Sequence, residues 1–407
     1  MTVERIPASL GGATSHGHLL ELIRSADGLS RQQLLSTTGM SRATLYERLD
    51  TLTRRGYIYE AEPLNSTGGR PSRKIRFEDR GRVILAMTLG QTHGTLSITD
   101  TTGRQLRSVT SELEIAAPAD TVLTPLIAAG QRLLGQGVDE TLLGVGVSLP
   151  APVEASTGHV RHQTTIPGWS PDSVVQAVGR AWDLPLVIEN DARAAALGER
   201  TSDSETVVYV KVGTGIGCGI VVEGSILRGA HGSAGDIGHI RMSSDGPLCR
   251  CGRHGCLAAY SSGLALRNKL GPLGFKKVDD ISAAARTGHP EVLDALASAA
   301  EVLGRALAAT VTTLNPDRLV LGGQIGSLPS FVQHVSSRVL TDVVERIAEG
   351  MVVEPGHLED SAACMGLTTL VMRKIFAPDA VDQLFSDEAE NGVQSVAKIP
   401  GSPLATG

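Results

Sequence analysis

The chain has 407 residues, 41% hydrophobic but only 3% aromatic, so it has length for two or three domains and a large core built from Val, Leu, Ile and Ala. No apolar run reaches the length of a membrane span and MTVERIPASL lacks a signal-peptide core, which argues against a membrane protein and sets the expectation of a cytoplasmic one. The net charge of −6 is uneven: residues 31–76 carry nine Lys or Arg against four Asp or Glu, a local +5 against −11 elsewhere, so an anionic partner is expected for that segment alone.

Residues 1–15 read as a flexible N-terminus, and residues 16–56 as three helices, HGHLLELIRSA, SRQQLLSTTG and SRATLYERLDTLTRRG. Ser30 and Ser41 stand at N-cap positions, and Gly39 makes the turn between the second and third helices. Leu34, Leu35, Leu45, Leu49 and Leu52 recur at helical spacing and close one small core. A short helix, a Gly-containing turn and a longer helix form the pattern of a helix-turn-helix, whose second helix enters the major groove of double-stranded DNA. In that geometry Ser41, Arg42, Thr44 and Arg48 face the groove. After Gly56, YIYEAEP and SRKIRF alternate as two strands of a wing, so residues 16–78 are expected to form a winged helix-turn-helix domain. Arg70, between Gly69 and Pro71 in the connecting loop, can extend into a minor groove with little bulk beside it. Arg54, Arg55, Arg73 and Lys74 are placed for phosphates, which give affinity rather than sequence choice. The competing reading is a helical hairpin that only dimerises.

From Gly81 the pattern changes to strands VILAMTL, TLSITD and LRSVTSEL, a helix over 121–135, and strands LLGVGVSLP and LPLVIEND separated by a further helix. A second run, ETVVYVKVGTGIGCGIVVEGSI, is strand, glycine turn and strand, followed by helical sequence over 291–313 and the strand DRLVLGG. This repeated order predicts two α/β lobes closing on a cleft. The turns Gly213-Thr214-Gly215-Ile216-Gly217 and Gly322-Gly323 point there, either as phosphate cradles or as plain tight turns. Asn190-Asp191 ends a strand, where a donor and an acceptor suit adjacent sugar hydroxyls and the Asp suits a base; alternatively Asp191 caps the helix DARAAALGE. Asp236 and His239 form a second polar pair. The polar segment 377–407 reads as a disordered tail.

Three of the five cysteines fall in the run GHIRMSSDGPLCRCGRHGC. His239, Cys249, Cys251 and Cys256 supply one imidazole and three thiols, the ligand set of a closed tetrahedral structural zinc site, one Zn2+ per chain, with glycines to fold the loop. A disulfide pair or chance cysteines are the alternatives.

The combination VGTGIGCGI, GDIGHI, GPLCRCGRHGCLAAY and IENDARAAALGE resembles the ROK family of repressors and sugar kinases over residues 81–376, and the winged helix with STGGRP resembles its repressor branch. The resemblance implies a two-lobed, actin-like ATPase fold with lobe 1 at about 81–190 plus a C-terminal helix over 361–376 and lobe 2 at about 191–360. It further implies a zinc, a homodimer or tetramer, and a sugar held by Asn190, Asp191, Asp236 and His239, with Asp191 the base in kinases. Three departures stand out. Thr88 replaces the kinase Asp of the first strand loop and Gln91 replaces a Gly, which argues against ATP-dependent phosphoryl transfer. Asp236 replaces a Glu, and Ala258 replaces another. Arg193 replaces an Asn and adds a positive charge near the cleft, which suggests an acidic or phosphorylated sugar; the rival reading is that sugar sensing has been lost or altered. The function expected is a transcriptional regulator, a repressor of carbohydrate metabolism or uptake, with a kinase carrying a DNA-binding arm as the alternative.

Overall fold

The computed structural model describes residues 15–26, 28–61, 73–137, 140–154, 156–160 and 166–391. The chain divides into two compact units: Met1–Val83 with Asp139–Gly144 and Val371–Gly407, and Ile84–Val138 with Val145–Leu370.

In the first unit α1 (His16–Arg24) leads through a two-residue strand β1 (Leu29–Ser30) to α2 (Arg31–Thr38) and α3 (Arg42–Arg54). The caps fall where the sequence places them. The Ser30 hydroxyl accepts from the Gln33 N–H while the Gln33 side chain accepts from the Ser30 N–H, and the Ser41 hydroxyl accepts from the Thr44 N–H. Gly39 ends α2 at a φ of +67°, where a residue with a Cβ would be strained by about 1 kcal/mol. Leu34, Leu45, Leu49 and Leu52 are buried, and Leu35 is half-buried. β2 (Ile58–Glu60) and β3 (Lys74–Phe77) pair antiparallel as the wing. β1 adds a third strand on the other edge of β3, too short to leave a periodic signal in the sequence. Arg70 and the rest of the wing loop over 62–72 lie outside the described residues.

In the second unit β4 (Arg82–Leu89), β5 (His93–Asp100) and β6 (Gln105–Glu112) form the expected meander. With α4 (Ala119–Leu134), β7 (Thr141–Leu149), α5 (Ser173–Ala181) and β8 (Leu186–Asn190) they complete the first lobe, whose sheet runs β6-β5-β4-β7-β8. β7 and β8 are parallel and end together, Leu149 opposite Asn190, so their carboxyl ends deliver polar groups to one place.

The second lobe opens with α6 (Asp191–Glu199), β9 (Val207–Val212), β10 (Ile216–Val222) and β11 (Ser225–Ile226). It continues through α7 (Ala258–Ser261), α8 (Gly263–Leu270), α9 (Val278–Arg286) and α10 (Pro290–Leu314). It ends with β12 (Arg318–Gly322), α11 (Gly323–Gly326), α12 (Pro329–Asp342), α13 (Glu345–Ala348) and β13 (Val352–Pro355), in a sheet ordered β11-β10-β9-β12-β13. Its core joins Val208, Val210, Leu319 and Leu321 of the strands to Leu303 and Leu307 of α10 and Phe331 of α12. α6 is buried along its whole length, and α14 (Ala362–Ile375) crosses it closely: a Cβ on Gly366 would overlap the Ala194 carbonyl oxygen. Thr368 of α14 shares a hydrogen bond of 2.8 Å with Thr99 of β5, tying this helix to the first lobe.

The reading of 377–407 as a disordered tail is corrected over its first half. α15 (Pro378–Asn391) is a helix, packed on α1 within the first unit. Val381 is fully buried, Asp382 accepts a 2.8 Å hydrogen bond from the Gly17 N–H, and the Phe385 ring stacks on His16 at 4.6 Å. A polar composition hid one apolar face whose partner lies more than 350 residues away in the sequence.

Candidate functional site

The cysteine loop begins with a 3-10 turn, Ile237–His239, that presents the His239 ring. Short antiparallel bridges, Arg241 to Cys256 and Leu248 to His254, then fold the chain into a knuckle. Gly252 and Gly255 adopt φ of +84° and +74°, and a Cβ on Gly255 would overlap the Ser243 carbonyl oxygen. The loop thereby brings the ligand atoms of His239, Cys249, Cys251 and Cys256 within 4.8 Å of one another. Cys249 Sγ is 3.7 Å from His239 Nδ1, and Cys251 Sγ is 3.7 Å from Cys256 Sγ. Disulfide sulfurs lie about 2.05 Å apart, so these thiols are unbonded. A tetrahedral ion with ligand bonds of about 2.0–2.3 Å has ligand–ligand edges of roughly 3.3–3.8 Å, so the donor set fits a metal ion. The remaining two cysteines stand apart from this chemistry: burial pushes the Cys218 thiol up to about 12 and Cys364 up to about 11.

A cleft of about 1390 Å³ is lined from both sheets of the second unit, by Thr88, Gln91, Ser148, Asn190, Asp191 and Lys211 among others, with Asp236 and His239 on its wall. The helix cap of α6 belongs to Asn190, not to Asp191: its Oδ1 accepts from the Ala192 and Arg193 N–H groups, and its Nδ2 donates to Ala151 O at 3.2 Å and to Asp191 Oδ1. Asn190 fits because its ψ of 143° is extended, as a cap requires, while Asp191 is already helical. Asp191 accepts from the Ala192 N–H at 2.8 Å and from Lys211 Nζ at 2.7 Å. Residue spacing alone does not single out Lys211. Its signal was its place in β9, two residues before the glycine turn.

Arg193 lines the cleft, but most of its guanidinium is engaged elsewhere. It is 5% exposed, its Nη2 donates to the carbonyl oxygens of Gly232 and Ala234, and its Nη1 lies 3.7 Å from Glu189. Glu189 is 1% exposed and also receives Arg228 at 2.7 Å. Most of the guanidinium is engaged by a buried carboxylate and by the loop that leads to Asp236, which leaves little of its charge for an acidic sugar.

In the first unit the exposed face of α3 carries Arg42, Ala43, Tyr46, Glu47 and Asp50, with Ser41 exposed at its cap and Thr44 half-buried. Arg48 faces away from it: Nη1 lies 3.3 Å from His16 Nδ1, beside α15. Tyr46 is 51% exposed with Arg31 over its ring at 5.3 Å. Arg31 and Arg73 both pair with Glu60, the second at 3.4 Å, and Lys74 is exposed at the start of β3. Arg55 lies over the Phe385 ring at 4.0 Å.

A two-lobed α/β body with a polar cleft and a cysteine–histidine knuckle, preceded in one chain by a winged helix, defines a class of sugar-kinase-like proteins with a nucleic-acid-binding arm. The chain belongs to the ROK family, whose model matches residues 84–374, and residues 17–62 match the IclR helix-turn-helix domain. It is 26% identical to the xylose repressor of Bacillus subtilis (strain 168), across 87% of this chain and 94% of that protein. A ROK family transcriptional regulator, a homologue of the E. coli MLC protein, superposes with a TM-score of 0.75 at 23% identity over 91% of this chain and 98% of that one. A ROK family glucokinase from Streptomyces griseus, in complex with glucose and AMPPNP, superposes with a TM-score of 0.62 at 26% identity, covering 71% of this chain and 98% of that one. No helix among the described residues is long and apolar enough to cross a membrane.

Proposed function

We propose that the protein is a DNA-binding transcriptional regulator, acting as a repressor of carbohydrate uptake or metabolism, with a sugar-binding ROK body that has given up catalysis. The observation that carries this reading is the exposed, Ser41-capped face of α3 on the +5 segment of an otherwise acidic chain, joined to a body related to that of the xylose repressor. Arg42, with Ser41 and Thr44 at the start of α3, is assigned to base edges. Arg73 and Lys74 are assigned to phosphates; the exposed Arg73–Glu60 pair is weak enough to exchange for one. Arg70, between Gly69 and Pro71 in the sequence, is proposed for the minor groove. A homodimer reading a palindromic operator follows from the usual pairing of such domains.

Two features speak against phosphoryl transfer. Thr88 offers a hydroxyl that donates to Thr95 O, where a metal-anchoring carboxylate is needed. The Asp191 carboxylate already accepts from Lys211 Nζ at 2.7 Å, which occupies a position that a substrate hydroxyl would need. His239, Cys249, Cys251 and Cys256 would hold a structural Zn2+, which neutralises thiolates and braces the loop; His239 Nδ1 faces the cluster, leaving Nε2 for a ligand in the cleft. Genome-wide mapping of bound DNA with and without sugars tests the regulator reading: discrete sites near carbohydrate genes whose occupancy responds to a sugar are expected. A coupled assay showing steady ATP-dependent phosphorylation of hexoses would overturn it.

A further inference from the structure

We propose that Lys211 is the residue that sets ligand class in the cleft, and that the effector it selects is an anionic sugar, one bearing a phosphate or a carboxylate. This rests on the cleft being the effector site. The argument is a balance of donors and acceptors. Asp191 accepts from the Ala192 N–H, from Asn190 Nδ2 and from Lys211 Nζ, so most of its capacity to receive a sugar hydroxyl is used. Asn190 is spent on capping α6 and on the Ala151 carbonyl.

Donors, in contrast, remain. An ammonium has three N–H bonds and Asp191 takes one, while the Lys211 side chain stays 34% exposed in the cleft. Ser148 lines the same cleft, is fully buried, and its hydroxyl has no hydrogen-bond partner. The turn at Gly213 and Gly215 leaves room for a ligand, with nothing within 4 Å of where a Cβ would stand, although the Gly213 N–H is taken by the Gly215 carbonyl oxygen at 3.0 Å. Exposed carboxylates of Asp236, Glu359 and Asp360 line other parts of the cleft, but the corner at Lys211 and Ser148 offers an exposed cation and an unused hydroxyl to an acceptor-rich group, and charge-assisted bonds from an ammonium to such a group are about twice as strong as neutral ones. Arg193, on α6, is the weaker candidate, because Glu189 and two carbonyl oxygens already engage it.

The test is calorimetric titration of the full-length protein and its variants with glucose and xylose, and with glucose 6-phosphate, gluconate and glucuronate. At least one anionic sugar is expected to bind the wild type at least tenfold more tightly than any neutral one. The phosphate and carboxylate arms identify which anion is read. Lys211→Gln should lose tenfold or more for that ligand, and Lys211→Arg should retain it within a few-fold. Asp191→Asn, which frees Lys211, should bind the anion as tightly or more tightly. Tighter binding of a neutral sugar, or a Lys211→Gln protein that is folded by circular dichroism and binds the anion unchanged, overturns the assignment while leaving the effector cleft standing. Loss of all binding in Asp191→Asn would return the sugar to Asp191. If no sugar of either class binds the wild type, the effector reading falls with it.

Discussion

The cysteine loop and the entrance of α6 both force chemically demanding side chains together, but they do so over different distances in sequence. His239, Cys249, Cys251 and Cys256 lie within eighteen residues, and their geometry is set by local bridges and two left-handed glycines. Around α6, by contrast, Lys211 reaches Asp191 from β9, and Arg228 reaches Glu189 from the segment after β11. The loop can be recognised from residue types and spacing alone. The ion pairs depend on which strands neighbour which helix, and no spacing rule announces them. Perturbing the two regions should therefore fail in different ways, one through a ligand set and the other through unpaired buried charge.

The largest effect is expected from breaking the ligand set. Cys251→Ser should abolish one equivalent of zinc per chain, measured by elemental analysis of the purified protein, and should cost at least about 3 kcal/mol in chemical unfolding. Free-standing zinc domains gain roughly 10–16 kcal/mol from their ion, and a loop inside a larger domain should draw on only part of that. A variant that keeps its zinc and its unfolding midpoint would break the contrast, leaving the loop as a hairpin with incidental thiols.

Next comes the buried charge. Arg193→Met removes the more buried of the two guanidiniums facing Glu189, and losing one partner of such a pair costs about 3–5 kcal/mol. Arg228→Met should cost about 1 kcal/mol or less, because its side chain is 33% exposed and solvent screens it. Equal losses in urea unfolding would show that both arginines serve Glu189 alike. The same pair of variants separates a structural Arg193 from a ligand-binding one, since the structural role predicts a stability loss with no selective change among sugars.

Much of the architecture was readable because it is periodic. The two caps at Ser30 and Ser41, the meander after Gly81 and the paired lobes all follow from local spacing. What escaped was non-local or sparse. Capping by Asn190 rather than Asp191 is decided by one backbone angle, and a helix boundary one residue off reverses two roles. Arg193 looked like a charge available to a ligand because its partner, Glu189, reads in sequence as one more residue of a strand. α15 was hidden by its polar composition, and Arg48 turns from the exposed face of α3 toward His16 of α1.

That placement sharpens the contrast within α3 itself. Arg42→Ala should weaken operator binding by about 1–3 kcal/mol, the range for one specific base contact, as read by fluorescence anisotropy on a site recovered by mapping. Arg48→Ala should weaken it less, and should instead lower the thermal stability of the first unit. The reverse order would return Arg48 to the groove and show that its bond to His16 gives way when DNA is present.

The smallest effect concerns protons. Burial, with Arg48 beside it, holds the His16 imidazole below its ordinary value, although Asp382 and Glu47 pull the other way. A histidine whose folded value is depressed binds its proton more readily in the unfolded chain. Its contribution is therefore intact above the unfolded value, near 6.5, and is lost as pH falls from there toward the lowered folded value. Melting of the first unit should consequently soften between pH 7 and pH 5, in the packing of α1 against α15. His16→Phe preserves an aromatic ring for Phe385 while removing the titration, so it should flatten that part of the pH profile. An unchanged slope in the variant would show that the acid sensitivity of this packing does not arise at His16.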